Sequence, residues 1–161
     1  MDNIKLFVPL GTQKFPFGRI ITVLNELVEQ RQYQPNEIVM QSALYPVKPN
    51  FAHYKFLPLE DFNQYIKEAE VIVAHSGVNS IISCMELEKP LVICPRLYEY
   101  GEHVDNHQME IAQLMHEKYN VLVCTDMKKL PALIEEAKKH QYRPWISHRQ
   151  ELLDAISRLI I

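Results

Sequence analysis

The sequence predicts a single α/β domain built on a mainly parallel, doubly wound sheet. Three observations carry this expectation. Short apolar runs alternate with longer amphipathic stretches along the chain, the pattern of parallel strands joined by crossover helices. The length of 161 residues suits one domain with a substantial core and is too short for two full ones. No internal repeat or low-complexity segment divides the chain, so residues 1–161 are expected to form one unit.

Taken in order, the elements begin with a strand over Ile4–Val8. A helix follows from Pro16 to about Arg31, with Ile20, Ile21, Leu24, Leu27 and Val28 on one face at helical spacing. Strands are expected over Glu37–Gln41 and His53–Phe56, and a short helix over Glu60–Glu68 after Pro58, with Phe62 facing the pocket or, by preference, the core. Val71–Ala74 reads as a buried strand. Val78–Leu87 reads as a helix that stops before Lys89-Pro90, because proline cannot continue one. Another strand over Leu91–Cys94 leads to a helix from Asp105 to about Glu117, with Met109, Ala112, Leu114 and Met115 on its apolar side. Val121–Cys124 is the last strand, and Met127–Lys139 and Ser147–Leu159 are the last helices. In the final helix Leu152, Leu153, Ile156, Leu159 and Ile160 fall on or near one side, to cover the sheet or to meet a partner.

Composition narrows the function classes. Lys and Arg number 17 against 20 Asp and Glu, a formal net charge of −3, which disfavours nucleic acid as the main partner. Cys84, Cys94 and Cys124 are odd in number and lie in or beside apolar segments. They read as small buried residues of a reduced, cytoplasmic protein rather than a disulfide framework or zinc site. Met1-Asp2-Asn3-Ile4-Lys5 does not open a secretory signal, and no apolar run approaches the ~20 residues that span a bilayer.

In a parallel sheet, ligands bind at the carboxyl ends of the strands. Three segments there carry chemistry. Ala74-His75-Ser76-Gly77-Val78-Asn79-Ser80 leaves a buried strand and opens a helix, so backbone N–H groups and a helix dipole converge where an anion could sit. Gly77 would let a ligand approach closely, and His75, Asn79 and Ser80 add side-chain donors. The same turn also fits a plain helix cap through Ser76. Gly11-Thr12-Gln13 follows the first strand. It lacks the lysine of a Walker loop and the glycines of a dinucleotide fingerprint, but shares the edge with the His75 turn. The segment Pro95–Gln108 is the densest polar cluster: Glu102, Asp105, Asn106 and Gln108 are suited to sugar hydroxyls. His103 and His107 stand four apart and could share a metal on a helix, although no third ligand has defined spacing.

Three ordered motifs together carry a resemblance: His75–Ser80, Lys89-Pro90-Leu91-Val92-Ile93-Cys94-Pro95, and Tyr100-Gly101-Glu102-His103-Val104-Asp105-Asn106-His107-Gln108. Over nearly the whole chain the sequence resembles the C-terminal, donor-binding domain of GT-B glycosyltransferases of family 28. It is most similar to small stand-alone versions: the cytosolic subunit of the eukaryotic dolichol-linked N-acetylglucosaminyltransferase and bacterial exopolysaccharide or capsule subunits. Leu10-Gly11-Thr12-Gln13-Lys14-Phe15-Pro16-Phe17 fits the bacterial group. The resemblance implies a Rossmann-like domain equivalent to the C-terminal half of a GT-B enzyme. Gly11, Thr12 and Gln13 would lie near the diphosphate, and His75, Ser76, Gly77, Asn79 and Ser80 would hold the UDP phosphates. The backbone near Leu59 would meet the uracil. Glu102, His103, Asn106, His107 and Gln108 would address the donor sugar. Many relatives carry a ribose-binding glutamate where this chain has Ser83, and Glu86 lies one turn later.

The implied activity is inverting transfer of a hexose from a UDP-sugar to a lipid-linked saccharide in exopolysaccharide or capsule synthesis. Backbone N–H groups and a helix end would stabilise the leaving UDP, and no DxD-type metal motif is present, so neither metal nor cofactor is expected. The general base belongs to the N-terminal domain in two-domain relatives. A membrane-associated Rossmann-like partner is therefore expected to supply it and to bring this chain to the inner face of the cytoplasmic membrane. The alternative is a non-catalytic subunit that binds the nucleotide sugar or enhances its partner. A GT-B-like epimerase would need two domains and a catalytic carboxylate set.

Overall fold

The computed structural model describes residues 4–143 and 149–160. Met1–Asn3, Trp145 and the expected helix start at Ser147 lie outside the described residues. Six strands, β1 (Leu6–Pro9), β2 (Ile38–Gln41), β3 (Ala52–Tyr54), β4 (Val71–Ala74), β5 (Leu91–Ile93) and β6 (Leu122–Val123), form one sheet in the order β3-β2-β1-β4-β5-β6. Every pairing is parallel. The helices are α1 (Gly18–Glu29), α2 (Leu59–Glu68), α3 (Val78–Glu86), α4 (His107–Tyr119), α5 (Leu130–Ala137) and α6 (Arg149–Ile160).

Parallel pairing forces crossovers, and the crossover helices bury both faces of the sheet. Alternate residues of each strand therefore enter different cores. Leu6 and Val8 of β1 join Ile38, Met40, Val71 and Val73 against Ile20, Leu24 and Ile134 of α1 and α5. Phe7, Val39, Ile72 and Ala74 pack on the other side against Ile66, Ile81, Ile111 and Ile156 of α2, α3, α4 and α6. Phe62 meets the edge of Phe7 at 5.2 Å between ring centroids, as expected of a core residue. Leu152 and Ile156 bury one stripe of α6 in this second core, each worth about 1.5–3 kcal/mol of apolar transfer. The last helix thus covers the sheet.

Several boundaries differ from expectation, for local reasons. The expected strand over His53–Phe56 begins one residue earlier and ends at Tyr54. The expected helix start at Pro16 moves to Gly18, because the carbonyls of Phe15 and Pro16 accept hydrogen bonds from Arg96 instead of entering a helical turn. The start expected at Asp105 moves to His107: the Asp105 carboxylate accepts the His107 N–H at 3.1 Å, and Asn106 Oδ1 accepts the Tyr98 N–H at 3.0 Å. Such side-chain bonds replace the helical ladder at a helix entry. Beyond α1, Arg31 takes a left-handed φ of 61°, and its N–H and that of Gln32 return to the carbonyls of Val28 and Leu27. This is a Schellman ending without glycine, a feature that composition does not signal.

Candidate active site

The chain winds outward from β1 in two directions, through β2 and β3 on one side and β4, β5 and β6 on the other. In such sheets the ligand crevice lies where the order reverses, which here is at the carboxyl ends of β1 and β4. The residues leaving those strands are Leu10-Gly11 and His75-Ser76-Gly77. The His75 N–H reaches back to the Pro9 carbonyl at 3.4 Å, holding the two exits together.

The His75 ring lies between two glycines. A Cβ on Gly77 would come within 2.5 Å of its Nε2, and a Cβ on Gly11 within 2.8 Å of the same atom. Gly11 also has a φ of 88°, which residues with a side chain rarely adopt. Burial, with the nearby Arg96 cation as a second cause and the Gln108 hydrogen bond opposing both, pushes the His75 pKa down to about 3. The imidazole is therefore neutral at physiological pH. Gly77 is the N-cap of α3 and provides no side-chain cap, and among the described residues no side-chain hydrogen bond closes that end. The first-turn N–H groups of α3 are thus left for a ligand, with the positive end of the helix dipole behind them.

The segment between β5 and α4 is locked to this crevice from the other side. Gln108 is buried, and its Oε1 accepts the N–H groups of Arg96 at 2.9 Å and Ser76 at 3.3 Å. Its Nε2 lies 3.1 Å from His75 Nδ1, and its backbone oxygen accepts the Ser76 hydroxyl at 2.7 Å. Arg96 is 1% exposed. Its guanidinium donates to the carbonyls of Phe15 at 3.0 Å, Pro16 at 3.3 Å and Leu10, and it stacks 5.1 Å from the Phe17 ring centroid. Burial lowers its pKa to about 10, which still leaves it charged at neutral pH. Arg19 forms a bidentate pair with Glu102 at 2.8 and 3.1 Å, donates to the carbonyls of Thr125 and Pro95, and lies 4.7 Å over Tyr100. Beside that pair an open cavity of about 530 Å³ is lined by Leu97, Glu99, Tyr100 and Asp126, without His75 or Asn79.

The structure thus sorts the residues singled out from sequence. Gly11, His75, Gly77 and Gln108 meet at the crevice. Gln13 joins them through the 3.3 Å contact between its Oε1 and His103 Nε2, and His103 also lies 3.4 Å from Asp105 Oδ1 and stacks on Phe15. Thr12 and Asn79 are exposed, and Ser80 is buried in the first turn of α3. Three of the polar groups singled out from sequence are already bonded within the protein. Glu102, expected at a sugar, is buried, with both oxygens bound to Arg19 and one also to the Leu97 N–H at 3.0 Å. Ser76, expected at the phosphates, spends its hydroxyl and N–H on Gln108. The Gln108 amide oxygen, expected at the sugar, is taken by two backbone donors. These bonds have one cause: a buried polar group must be satisfied inside the protein. Asn106 is occupied with Tyr98. His107 faces outward to Glu110 at 2.8 Å, whose hydrogen bond raises its pKa. Leu59 opens α2 and is 74% exposed, whereas Ser83 is half-buried on α3, one turn beyond Asn79. Among the described residues no group of three or more His, Cys, Asp or Glu side chains is placed to hold a metal ion.

Sequence reasoning missed Arg19 and Arg96. Arg96 was visible as a charge two residues after the apolar run Leu91–Cys94, and a cation buried so close to a core strand must find acceptors. Arg19 sits on an amphipathic helix and carried no such signal.

The all-parallel sheet and its strand order, with the exits of β1 and β4 at the switch point, define a class: the Rossmann-like, doubly wound α/β domains. Residues 6–158 match the glycosyltransferase family 28 C-terminal domain, and the chain belongs to that family. The UDP-N-acetylglucosamine transferase subunit ALG13 of Candida albicans is 37% identical over 70 residues, which are 44% of this chain and 22% of that protein. ALG13 of Debaryomyces hansenii is 29% identical over 122 residues, 76% of this chain and 50% of that protein. The chain therefore spans half or less of the length of these curated relatives. Among solved structures, the NMR solution structure of ALG13 has the same fold, with a TM-score of 0.60, 16% identity, and coverage of 96% of this chain and 95% of that one. The calicheamicin glycosyltransferase CalG4 matches at a TM-score of 0.57 and 16% identity, over 99% of this chain and 38% of that one.

Proposed function

We propose that this chain is the donor-binding half of an inverting, UDP-sugar-dependent glycosyltransferase that acts with a separate partner subunit. The observation that carries the reading is the uncapped amino end of α3 at the sheet's switch point, with neutral His75 held between Gly11 and Gly77 beside it. A diphosphate offers that site two anionic groups. First-turn N–H donors and the helix dipole, fixed before the ligand arrives, stabilise the charge that grows on UDP as it leaves. Asn79 adds an exposed donor on the same turn. Thr12 and Gln13 face the diphosphate from the β1 exit, and His103 on the loop and His107 at the start of α4 stand on the side of the sugar. Leu59 marks the uracil end, and Ser83, one turn into α3, stands beside the ribose. Support for the nucleotide comes from the relatives named as UDP-N-acetylglucosamine transferase subunits.

In this reading the partner supplies the general base. His75, with its pKa near 3, accepts protons poorly at neutral pH, and Glu102 is tied to Arg19. No helix among the described residues is long and apolar enough to cross a membrane. Attachment to the inner face of the cytoplasmic membrane, where a lipid-linked saccharide accepts the hexose, falls to the partner. The resemblance of Leu10–Phe17 to bacterial stand-alone subunits favours a role in exopolysaccharide or capsule synthesis. That neither His75 nor Glu102 is free to take a proton also favours a second reading, a subunit that binds the nucleotide sugar while its partner performs the chemistry.

Calorimetric titration with UDP in the presence of a metal chelator tests the site. The expected result is binding by the native chain and its loss in Gly77→Ala, whose new Cβ must displace the His75 ring. Native protein that does not bind UDP, or a Gly77→Ala variant that binds it normally, would sink the reading. Sugar transfer by the reconstituted pair, with and without this chain, separates the two readings: a partner fully active alone leaves only the second.

A further inference from the structure

We infer that Gln108 is a positioning residue that sets which nitrogen of His75 carries the proton, making the ring edge between Gly11 and Gly77 a hydrogen-bond donor. The inference rests on the phosphate reading above. Two backbone donors fix the orientation of the Gln108 side chain. The N–H groups of Arg96 and Ser76 both end on one amide atom, at 2.9 and 3.3 Å, and that atom must be the oxygen. The remaining amide atom, 3.1 Å from His75 Nδ1, is then nitrogen, and an NH₂ group only donates. Nδ1 is therefore an acceptor, and the single proton of the neutral ring sits on Nε2.

Nε2 is the atom that lies against both glycines, 2.5 Å from the Cβ position of Gly77 and 2.8 Å from that of Gly11. Among the described residues no protein acceptor meets it. Its N–H is left for a phosphate oxygen at the amino end of α3. The opposite tautomer would aim a lone pair at that oxygen and repel it. Gln108 thus acts on the nucleotide through His75, and its buried amide is explained without a sugar contact. The charged or titratable groups that face the ring are Arg96 and His103.

The variant Gln108→Glu reverses the third bond while keeping the first two. One carboxylate oxygen still accepts the two backbone N–H groups, and the other accepts from His75, drawing the proton to Nδ1. Long-range ¹H–¹⁵N correlation of the His75 ring reads the tautomer, and calorimetry with UDP reads its consequence. The native ring is expected to be protonated on Nε2. In Gln108→Glu the proton moves to Nδ1, and UDP affinity at neutral pH falls about tenfold, the loss of one charge-assisted hydrogen bond. Lowering the pH restores affinity in the variant, because an imidazolium carries protons on both nitrogens. The new carboxylate also repels UDP directly, so the same change is made in a His75→Gln background, where only that repulsion remains and the loss is smaller. A native ring protonated on Nδ1 overturns the inference, as does an equal loss of UDP affinity in both backgrounds. Native protein that shows the Nε2 tautomer but binds no UDP would overturn the phosphate reading instead.

Discussion

His75 is a histidine that the fold keeps from charging. Its pKa falls from an ordinary 6.5 to about 3, chiefly because the ring loses its water and also because Arg96 stands near it. The unfolded chain has no such environment and takes up a proton as the pH drops through 6.5. Between about 6.5 and 3 the unfolded state therefore binds a proton that the folded state refuses, and stability falls with falling pH. Above 6.5 this contribution is constant. Between pH 7 and pH 5 the native protein is expected to lose about 2 kcal/mol more than His75→Gln, whose amide does not titrate. Urea unfolding of both proteins at the two pH values measures the difference, and parallel losses would show that the folded ring protonates freely. The cost serves the crevice, since a ring that stays neutral can be held in one tautomer.

Two arginines tie separate elements into one edge. Arg96 leaves β5 and clasps the segment between β1 and α1 through the carbonyls of Leu10, Phe15 and Pro16, while Arg19 of α1 clasps Glu102 and the segment after β6. Removing the first clasp leaves three carbonyls without their donor in a region that water reaches poorly. Arg96→Met is expected to destabilise the fold by about 2–4 kcal/mol and to speed amide exchange across residues 10–17. Arg96→Lys recovers only part of the loss, because one ammonium lacks the planar fork that spans several acceptors. Unchanged exchange across 10–17 in Arg96→Met would show that the loop is held by other means. This clasp marks the limit of what the sequence disclosed. Strand and helix positions were legible because burial on both faces of a parallel sheet leaves uninterrupted runs such as Val71–Ala74. The edge was legible because Gly11 and Gly77 follow such runs. What stayed hidden was the direction of individual side chains. Glu102, Ser76 and Gln108 read as ligand groups because they are polar and lie just beyond the strand exits, yet each is also bonded by a residue far away in sequence, 83, 32 and 12 positions for the bonds to Arg19, Gln108 and Arg96.

At the scale of the whole molecule, the all-parallel order β3-β2-β1-β4-β5-β6 puts every strand exit on one side. A ligand at the switch point can touch the exits of β1, β4 and β5 together, and it cannot touch the helix ends that feed the strands from the opposite side. Those ends have their own closures. Glu88 and Lys89 return to the carbonyls of Met85 and Cys84 after α3, and Asn120 caps α4 while its oxygen contacts His140 at 2.6 Å. The binding reading therefore predicts a one-sided footprint in hydrogen exchange. Saturating UDP is expected to slow amides over residues 11–13 and 76–80, and over 102–108 where the clasped loop is stiffened through Gln108. Residues 87–90 and 119–121 are expected to exchange at their original rates. The expected size is set by mass action: ligand at 100 times its dissociation constant adds about 2.7 kcal/mol to openings that abolish the site and nothing to local fraying elsewhere. Protection confined to 87–90 and 119–121 would place the nucleotide at the wrong end of the sheet and overturn the site. Uniform protection of the slowest core amides, with no local effect at 76–80, would show that UDP stabilises the fold without resting on the amino end of α3.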